Sequence, residues 1–309
     1  MIRTYTAFIL LGLFWGSNFI YMKWAGALIS AGQISFLRIL FGFVPLAALA
    51  WRSGVLKSGQ VRYLHHLAVM AALPTAFCYF AMAKGTALLP SGIAGVLGGS
   101  PAIFTSMASS LFLRNEKMNR LMVSGIALGI VGITLIARPW AALSDSAPIS
   151  LEGVAWMMAG SIVFGMSYIY GRRFLSPTNL PPLAIVTWQM GLALAMLFFV
   201  TDLDGTGQIL HDARALAGMV IGLGLLGTGA SFLLYYFLLR ELGAVAASGA
   251  VYVTPVIALM IGWAAGEHVG PLEVVATLLI LCSIAMLEVG RQRTTRPEAT
   301  PIQTAVSPD

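Results

Sequence analysis

Residues 91–113 read SGIAGVLGGSPAIFTSMASSLFL and contain no charged side chain. A helix that crosses a bilayer needs about 20 mostly apolar residues, so this stretch is long enough to span a membrane. Other stretches along the chain share its length and its apolar character. The ten spans that we predict cover residues 4–22, 33–51, 66–84, 91–113, 119–137, 151–171, 183–201, 214–238, 243–265 and 271–289.

The composition predicts an all-α polytopic membrane protein. Hydrophobic residues make up 58% of the chain and charged residues 10%, which leaves little sequence for a water-soluble domain. Backbone polar groups in lipid must be satisfied internally, and the alternation of a barrel strand is absent, so we expect the spans to be helices. Trp15, Ser17 and Asn18 interrupt the first apolar run and no small-residue cleavage site follows, so we interpret this run as an uncleaved span.

The net charge of +6 is distributed unevenly between the two sides of the predicted membrane. With the N-terminus inside, thirteen basic residues are cytoplasmic, and only Lys23, Lys84, Arg138 and Arg214 are outside. An excess of Lys and Arg marks the cytoplasmic side. We therefore expect a multi-pass protein of the bacterial inner membrane with both termini in the cytoplasm and no nucleic-acid partner. Residues 291–309, rich in Arg, Thr and Pro, are predicted to form a disordered cytoplasmic tail.

Short motifs recur in the same order in two halves of the chain, predicted at residues 1–140 and 141–290. FWGSN at 14–18 corresponds to VFGMS at 163–167, and Ser100-Pro101 corresponds to Thr254-Pro255. Each half holds five spans, and because five is odd the second half must enter the membrane upside down. Inverted repeats are a common plan of secondary transporters, which place the substrate near the midplane between the repeats. Chance similarity among apolar helices is the alternative.

The segment from residue 79 to residue 118, YFAMAKGTALLPSGIAGVLGGSPAIFTSMASSLFLRNEKM, resembles the EamA-type members of the drug/metabolite transporter superfamily. The opening WGSNF, Arg38 in the second span and the echo from Pro255 to Glu267 strengthen the resemblance, which covers about residues 5–290. It implies ten helices in two inverted five-helix repeats with both termini cytoplasmic. It also implies frequent service as an exporter of amino acids or other metabolites.

Four small or kink-forming residues are predicted to matter for conformational change: Gly16 and its counterpart Gly165, and Pro101 and its counterpart Pro255. Glycines on one helix face allow another backbone to approach closely. A proline inside a helix removes a backbone donor and bends the helix. Static packing and a fixed bend are the alternatives to a moving contact.

Arg38 is the only basic residue clearly inside a predicted span, roughly 8 Å from the outer end of that helix at 1.5 Å per residue. Its guanidinium could hold a substrate carboxylate through two parallel hydrogen bonds. The alternative is a structural role, in which the side chain reaches the interface or pairs with helix-end carbonyls.

Other polar and aromatic side chains at membrane depth are predicted to line the substrate cavity, because polar groups are costly in lipid and aromatic faces suit apolar or ammonium groups. Interhelical hydrogen bonding is the alternative for them. Together with Arg38, the predicted substrate-binding residues are Trp15, Ser17, Asn18, Tyr79, Ser167, Tyr168, Trp188, Gln189 and Tyr252.

Carboxylates are confined to loops, tails and span ends. Coupled carriers usually carry an acid within the membrane, so the sequence favours facilitated diffusion or exchange, with coupling through Glu267 or Glu273 left open. We predict no cofactor. We also predict no metal site, because the adjacent His65 and His66 do not share a helix face.

Residues 199–207, FVTDLDGTG, resemble the signature of haloacid-dehalogenase-type phosphatases. That chemistry would use Asp202 as nucleophile and Asp204 as proton donor. The motif follows a span-length apolar run, and too few polar residues come after it for a catalytic domain. We therefore interpret it as a solvated outer turn and predict no catalytic residues.

The sequence thus predicts a secondary transporter that exports small organic solutes by alternating access. Amino acids, including aromatic or other apolar ones, are the favoured substrates, and the lipid bilayer is the only other partner expected. No obligatory protein partner is evident. The alternatives are a proton-coupled transporter of other metabolites or drugs, a membrane protein that does not transport, and a membrane phosphatase.

Overall fold

A computed structural model describes residues 2–112, 118–141, 149–235, 237–238, 241, 250–268 and 270–295. These residues form helices and short connections, which confirms the predicted all-α polytopic fold. We number the membrane helices in chain order. They are α1 Ile2–Gly26, α2 Ala31–Arg52, α3 Ser58–Leu88, α4 in two pieces Ser91–Leu97 and Pro101–Phe112, α5 Arg120–Ala137, α6 Leu151–Thr178, α7 Pro182–Val200, α8 Ala213–Tyr235, α9 Ala250–Ala264 and α10 Pro271–Thr295.

Eight of these helices are long and apolar enough to cross a membrane, and α9 contributes a shorter apolar helix. The fourth predicted span is broken at Gly98–Ser100. There Gly99 N–H bonds to Val96 O at 3.1 Å and Ser100 N–H bonds to Leu97 O at 3.0 Å, and Pro101 has no N–H with which to continue the helix. Each predicted span therefore has a helical counterpart in the described part of the chain.

Polar residues just before several helices fix where they begin. Ser30 accepts from Gln33 N–H at 3.3 Å, and the Gln33 side chain accepts from Ser30 N–H at 3.0 Å, which is a capping box at the start of α2. Asn119 caps α5 through Met122 N–H at 2.9 Å. At the other end of the chain, α10 continues to Thr295, so residue 291, the predicted start of the disordered tail, lies within a helix.

Five turns meet at one end of the bundle, which we call the Glu267 end. The Gln33 side chain at the start of α2 reaches the turn after α7, and Glu267 after α9 reaches the start of α4. Arg138 at the end of α5 pairs with Glu273 at the start of α10. The bonds are Gln33 Nε2 to Asp202 O at 2.9 Å, Ser91 N to Glu267 Oε1 at 2.7 Å, Lys23 Nζ to Leu89 O at 2.8 Å, and Arg138 Nη2 to Glu273 Oε1.

The remaining described turns meet at the opposite end, which we call the Gln60 end. Trp188 Nε1 near the start of α7 donates to Gln60 Oε1 at 2.8 Å, and His66 Nδ1 lies 2.8 Å from the Tyr170 hydroxyl near the end of α6. Helix α1 therefore runs toward the Glu267 end, whereas α6 runs away from it. The second half is an upside-down copy of the first.

Helix packing follows the same two-fold relation. The pair α1–α9 has its counterpart in α4–α6, the pair α2–α8 in α3–α7, and the pair α3–α6 in α1–α8. The counterpart helices also pack directly on each other, as α2 on α7, α4 on α9 and α5 on α10. The two helices of each such pair face each other across the pseudo-two-fold axis. A site at the centre of the bundle is therefore within reach of both halves.

Candidate functional site

Arg38 lies at the centre of a polar cluster formed by four helices. It is 7% exposed and about 10 Å along α2 from the Glu267 end, at 1.5 Å per residue. Its Nε donates to Thr228 Oγ1 of α8 at 3.1 Å, and its Cζ lies 4.1 Å from the centre of the Tyr79 ring of α3. Oriented to satisfy both neighbours, the Asn18 amide of α1 accepts from Arg38 Nη2 at 3.2 Å and donates to Phe14 O at 3.1 Å.

The partners of Arg38 in this cluster are all neutral. A buried charge is costly unless it is paired, and among the described residues the structure records no ion pair for this guanidinium. The sequence predicted Asn18, Arg38 and Tyr79 as lining residues, and the structure brings all three together. Thr228 is a member that sequence reasoning missed.

Glycines create the space for this cluster. A Cβ at Gly42 of α2 would lie 2.6 Å from Thr228 Cγ2, and a Cβ at Gly227 of α8 would collide with the Asn18 side chain. The absence of side chains at these two positions allows α1, α2 and α8 to approach closely enough for their polar groups to bond.

A second polar pair joins the two repeats at the place that the inverted repeat relates to Arg38 and Thr228. Gln189 Nε2 of α7 donates to Thr75 Oγ1 of α3 at 2.6 Å. Thr75 lies in a π-helical segment, Ala72–Phe77, and donates to Met70 O at 3.1 Å. Thr75 was also missed, because one threonine in an apolar helix gives no signal that a π-helical turn presents it to a neighbour.

The predicted aromatic residues Trp15 and Tyr168 form another group with Tyr235 of α8. The Trp15 and Tyr235 rings are 6.1 Å apart, and the Tyr168 hydroxyl is hydrogen-bonded to that of Tyr235. Tyr168 itself is 52% exposed. Tyr168 and Tyr235 lie in the halves of α6 and α8 that are nearer the Gln60 end.

The other predicted lining residues bond within or between helices. Ser17 donates to Phe14 O at 3.1 Å and Ser167 donates to Phe164 O at 2.6 Å, so both hydroxyl protons are used inside their own helices. Trp188 holds Gln60 at the Gln60 end and does not share the Gln189–Thr75 bond. Tyr252 belongs to α9, but its side chain lies outside the described residues.

Gly16 and Gly165 occupy equivalent close contacts. A Cβ at Gly16 would lie 2.6 Å from Ile257 Cγ2 of α9, and a Cβ at Gly165 would lie 2.8 Å from Thr105 N of α4. Each glycine therefore lets the first helix of its repeat touch the fourth helix of the other.

The prolines lie on the contact between α4 and α9. Pro101 begins the second piece of α4, and Pro255 lies inside α9. A Cβ at Gly99 would be 3.0 Å from Pro255 Cγ. The break in α4 is therefore packed against its repeat counterpart.

Glu267 bonds to α4 where the contact between α4 and α9 reaches the Glu267 end of the bundle. Its two carboxylate oxygens accept from Ser91 N–H at 2.7 Å and Gly92 N–H at 2.9 Å, at the start of α4. Next to it lies a cavity of about 590 Å³ whose charged lining residues are Lys23, Arg138, Glu267 and Glu273.

The D-x-D segment lies in a turn after a helix, and not after a strand as phosphatase chemistry would need. Asp202 Oδ1 accepts from Asp204 N–H at 2.9 Å, and both backbone carbonyls accept from Gln33. Across the described ranges, no group of three or more His, Cys, Asp or Glu residues is placed to hold a metal ion.

Comparison with known proteins agrees with this architecture. The model of the EamA-like transporter family matches the chain twice, at residues 2–138 and 151–289. The chain belongs to the EamA-like transporter family. The two matches lie one in each half of the inverted fold, and the protein is a multi-pass membrane transporter, as the resemblance in the sequence implied.

Several proteins named as transporters or efflux pumps are similar to this chain over more than half of their length. The uncharacterized transporter YoaV of Bacillus subtilis is 25% identical over 93% of this chain and 97% of its own. The uncharacterized inner membrane transporter YedA of Escherichia coli K12 is 27% identical over 66% and 63%, respectively. A protein of Salmonella typhimurium named a probable amino-acid metabolite efflux pump is 25% identical over 57% and 56%.

A solved crystal structure shares the fold. It aligns with a TM-score of 0.62 and 16% sequence identity, and the alignment covers 96% of this chain and 100% of the other. At this identity the likeness concerns the architecture alone.

Proposed function

We propose that this EamA-like transporter exports small organic solutes that carry a carboxylate, in particular amino acids, by alternating access across a bacterial inner membrane. In this proposal Arg38 binds the carboxylate, and Asn18, Tyr79 and Thr228 hold the guanidinium in place. The Glu267 end faces outward, and both termini are cytoplasmic, because the basic residues are concentrated on the other side.

The observation that carries this proposal is a buried arginine whose neighbours are neutral, at a position where the other repeat has a glutamine. Gln189 makes the equivalent bond to Thr75 without any charge. Helix packing at this position is therefore satisfied by a neutral side chain. The charge of Arg38 is additional, and a substrate anion would supply the pairing that it lacks.

The hydrogen bonds of Arg38 support this role in anion binding. A guanidinium has five N–H donors, of which Nε–H is directed to Thr228 and one on Nη2 to Asn18. The remaining donors suit a carboxylate held by two parallel bonds. The Tyr79 ring lies against the guanidinium, 4.1 Å from Cζ, and so helps to orient these donors.

Amino acids are favoured because one relative is named a probable amino-acid metabolite efflux pump. An amino acid combines a carboxylate for Arg38 with a side chain that aromatic and apolar walls accommodate. Inverted repeats also support the cycle, since exchanging the conformations of the two halves moves the opening from one end to the other.

Transport in proteoliposomes tests the proposal. The purified protein should catalyse saturable counterflow of labelled leucine or phenylalanine without ATP, because a carrier shows counterflow and an open pore does not. Arg38→Gln should reduce this flux at least tenfold, whereas Arg38→Lys should retain part of it. No counterflow with a panel of amino acids, or full flux in Arg38→Gln, would contradict the proposal.

The same vesicles separate uncoupled from coupled transport. We expect counterflow rates that do not respond to an imposed pH gradient, since acidic residues are confined to loops, tails and span ends. Accumulation of substrate driven by the gradient would instead indicate coupling. Glu267→Gln and Glu273→Gln would then identify the carboxylate.

A further inference from the structure

The Arg38–Thr228 and Gln189–Thr75 bonds occupy equivalent positions in the inverted repeat, and the helices around them also share an unusual local structure. Both threonines lie in π-helical segments, Ala72–Phe77 of α3 and Gly218–Ala230 of α8. Each threonine donates its hydroxyl to the carbonyl five residues before it, Thr75 to Met70 O at 3.1 Å and Thr228 to Leu223 O at 2.9 Å. Single-turn π-helical insertions occur frequently at functional sites. Ala72–Phe77 is of about that length, whereas Gly218–Ala230 extends over 13 residues.

The donors are also placed symmetrically in depth. Arg38 is seven residues into α2 from the Glu267 end, and Gln189 is seven residues into α7 from the Gln60 end. At 1.5 Å per residue each is about 10 Å from its own end. Since α2 packs directly on α7, the two side chains lie on either side of the midplane and near the pseudo-two-fold axis.

Thr75, which bonds to Gln189, and Tyr79, which stacks on Arg38, lie four residues apart on α3. A substrate held beside that part of α3 would adjoin both positions. If Arg38 holds the carboxylate, which all amino acids share, position 189 faces the opposite end of the bound amino acid. That end of the substrate is its side chain, which differs from one amino acid to the next. A neutral glutamine at position 189 suits an uncharged side chain.

We infer that residue 189 determines the side-chain charge that the transporter accepts, so that the wild-type site, with Arg38 alone charged, selects amino acids with uncharged side chains. This inference rests on the proposed function. It assigns to Gln189 a role in specificity and to Thr75 a role in positioning Gln189.

Introducing a charge of either sign at position 189 tests the inference with the full-length protein in proteoliposomes. The probes are labelled leucine, glutamate and lysine. Gln189→Arg should raise the flux ratio of glutamate to leucine at least tenfold, and Gln189→Glu should raise the ratio of lysine to leucine by a similar factor. Gln189→Met is the matched neutral control, since it loses the bond to Thr75 but adds no charge. It should lower the rate and leave the order of preference unchanged.

An exchange of the two residues gives a second, independent measurement. Arg38→Gln combined with Gln189→Arg restores one positive charge at the equivalent position, so it should recover at least a tenth of the leucine flux that Arg38→Gln loses. Gln189→Lys replaces Gln189→Arg if the latter does not purify as a monodisperse protein.

These measurements distinguish failure of the role of Gln189 from failure of the proposed function. Unchanged leucine flux in Arg38→Gln would overturn the proposed function. Loss of flux in Arg38→Gln, together with folded position-189 charge variants that keep the wild-type order of preference, would overturn only the role of Gln189.

Discussion

At the scale of single residues, the glycines of the first helix in each repeat determine how closely the halves approach. Gly165 packs against backbone atoms of α4, and Gly16 packs against the Ile257 side chain of α9. Backbone atoms cannot rotate away from an added methyl group as a flexible side chain can. Gly16 is constrained in a similar way, because a Cβ there would lie 2.7 Å from Ile257 Cβ, which side-chain rotation does not move, and 3.1 Å from Thr254 O.

Gly165→Ala should destabilise the protein by about 1–3 kcal/mol, the usual cost of overpacking. The new Cβ would lie 2.8 Å from Thr105 N and 3.0 Å from Phe104 C. Thermal unfolding in detergent measures the effect as a lower Tm. Gly171→Ala is the control, because its nearest neighbour is the terminal methyl of Met70 at 3.5 Å. An equal Tm for the two variants would contradict the packing argument.

At the scale of helices, the contact between α4 and α9 combines small residues, a broken helix and a carboxylate latch. Gly95 lies against Ala258, Gly99 lies against Pro255, and Glu267 bonds to the first two N–H groups of α4. The first N–H groups of a helix have no partner within it, so this carboxylate satisfies them from the opposite repeat. We expect these bonds to break when the Glu267 end opens.

Glu267→Gln should open that end more often, because an amide offers one acceptor oxygen and no charge in place of two charged oxygens. Bonds to charged groups contribute about 1.5–3 kcal/mol, so we expect roughly a tenfold rise in accessibility. The measurement is the rate at which an impermeant maleimide modifies Ile93→Cys, a buried position lining the adjacent cavity, in a background lacking Cys78 and Cys282. Glu152→Gln, also near this end and exposed, should leave the rate unchanged. A rate that is the same in Glu267→Gln and Glu152→Gln would contradict the latch.

At the scale of the whole molecule, inversion follows from the packing of the two ends. Among the turns that the structure describes, contacts fall at two opposite ends of the bundle, so Arg138 meets Glu273 at one end while Gln60 meets Trp188 at the other. An odd number of spans in each half then brings the second half in upside down. The charge distribution predicts which end faces the cytoplasm.

Cysteine labelling in intact cells tests this orientation. Leu210→Cys, 67% exposed at the Glu267 end, should react with an impermeant maleimide, and the exposed Ser58→Cys near the Gln60 end should react only after the cells are permeabilised. Fluorescent proteins fused to the two termini should both fluoresce in the cytoplasm. Labelling of Ser58→Cys in intact cells, or termini on opposite sides, would contradict the predicted topology.

Much of the fold was predictable because lipid leaves the backbone few choices. Runs of apolar residues fix where the spans lie, and each predicted span has a helix in the structure. The position of Pro101 pointed to a local break in the fourth span, and its extent, Gly98–Ser100, came from the structure. The grouping of Asn18, Arg38 and Tyr79 was predictable because unpaired polar groups are costly at membrane depth and therefore pair with each other. The departures of Trp15 and Trp188 from this group were not predictable, because an indole is equally suited to a cavity, a helix contact or an interface.

The sequence by itself determined the class, the spans, the repeat and the residue whose charge stands out, since these follow from hydropathy, residue order and the cost of a charge in lipid. Only the tertiary structure decided what surrounds that charge. Arg38 meets Thr228 and Gln189 meets Thr75 because helices far apart in sequence pack across a two-fold axis and π-helical turns present the threonine hydroxyls. Those contacts arise from three-dimensional packing, which no local pattern in the chain encodes.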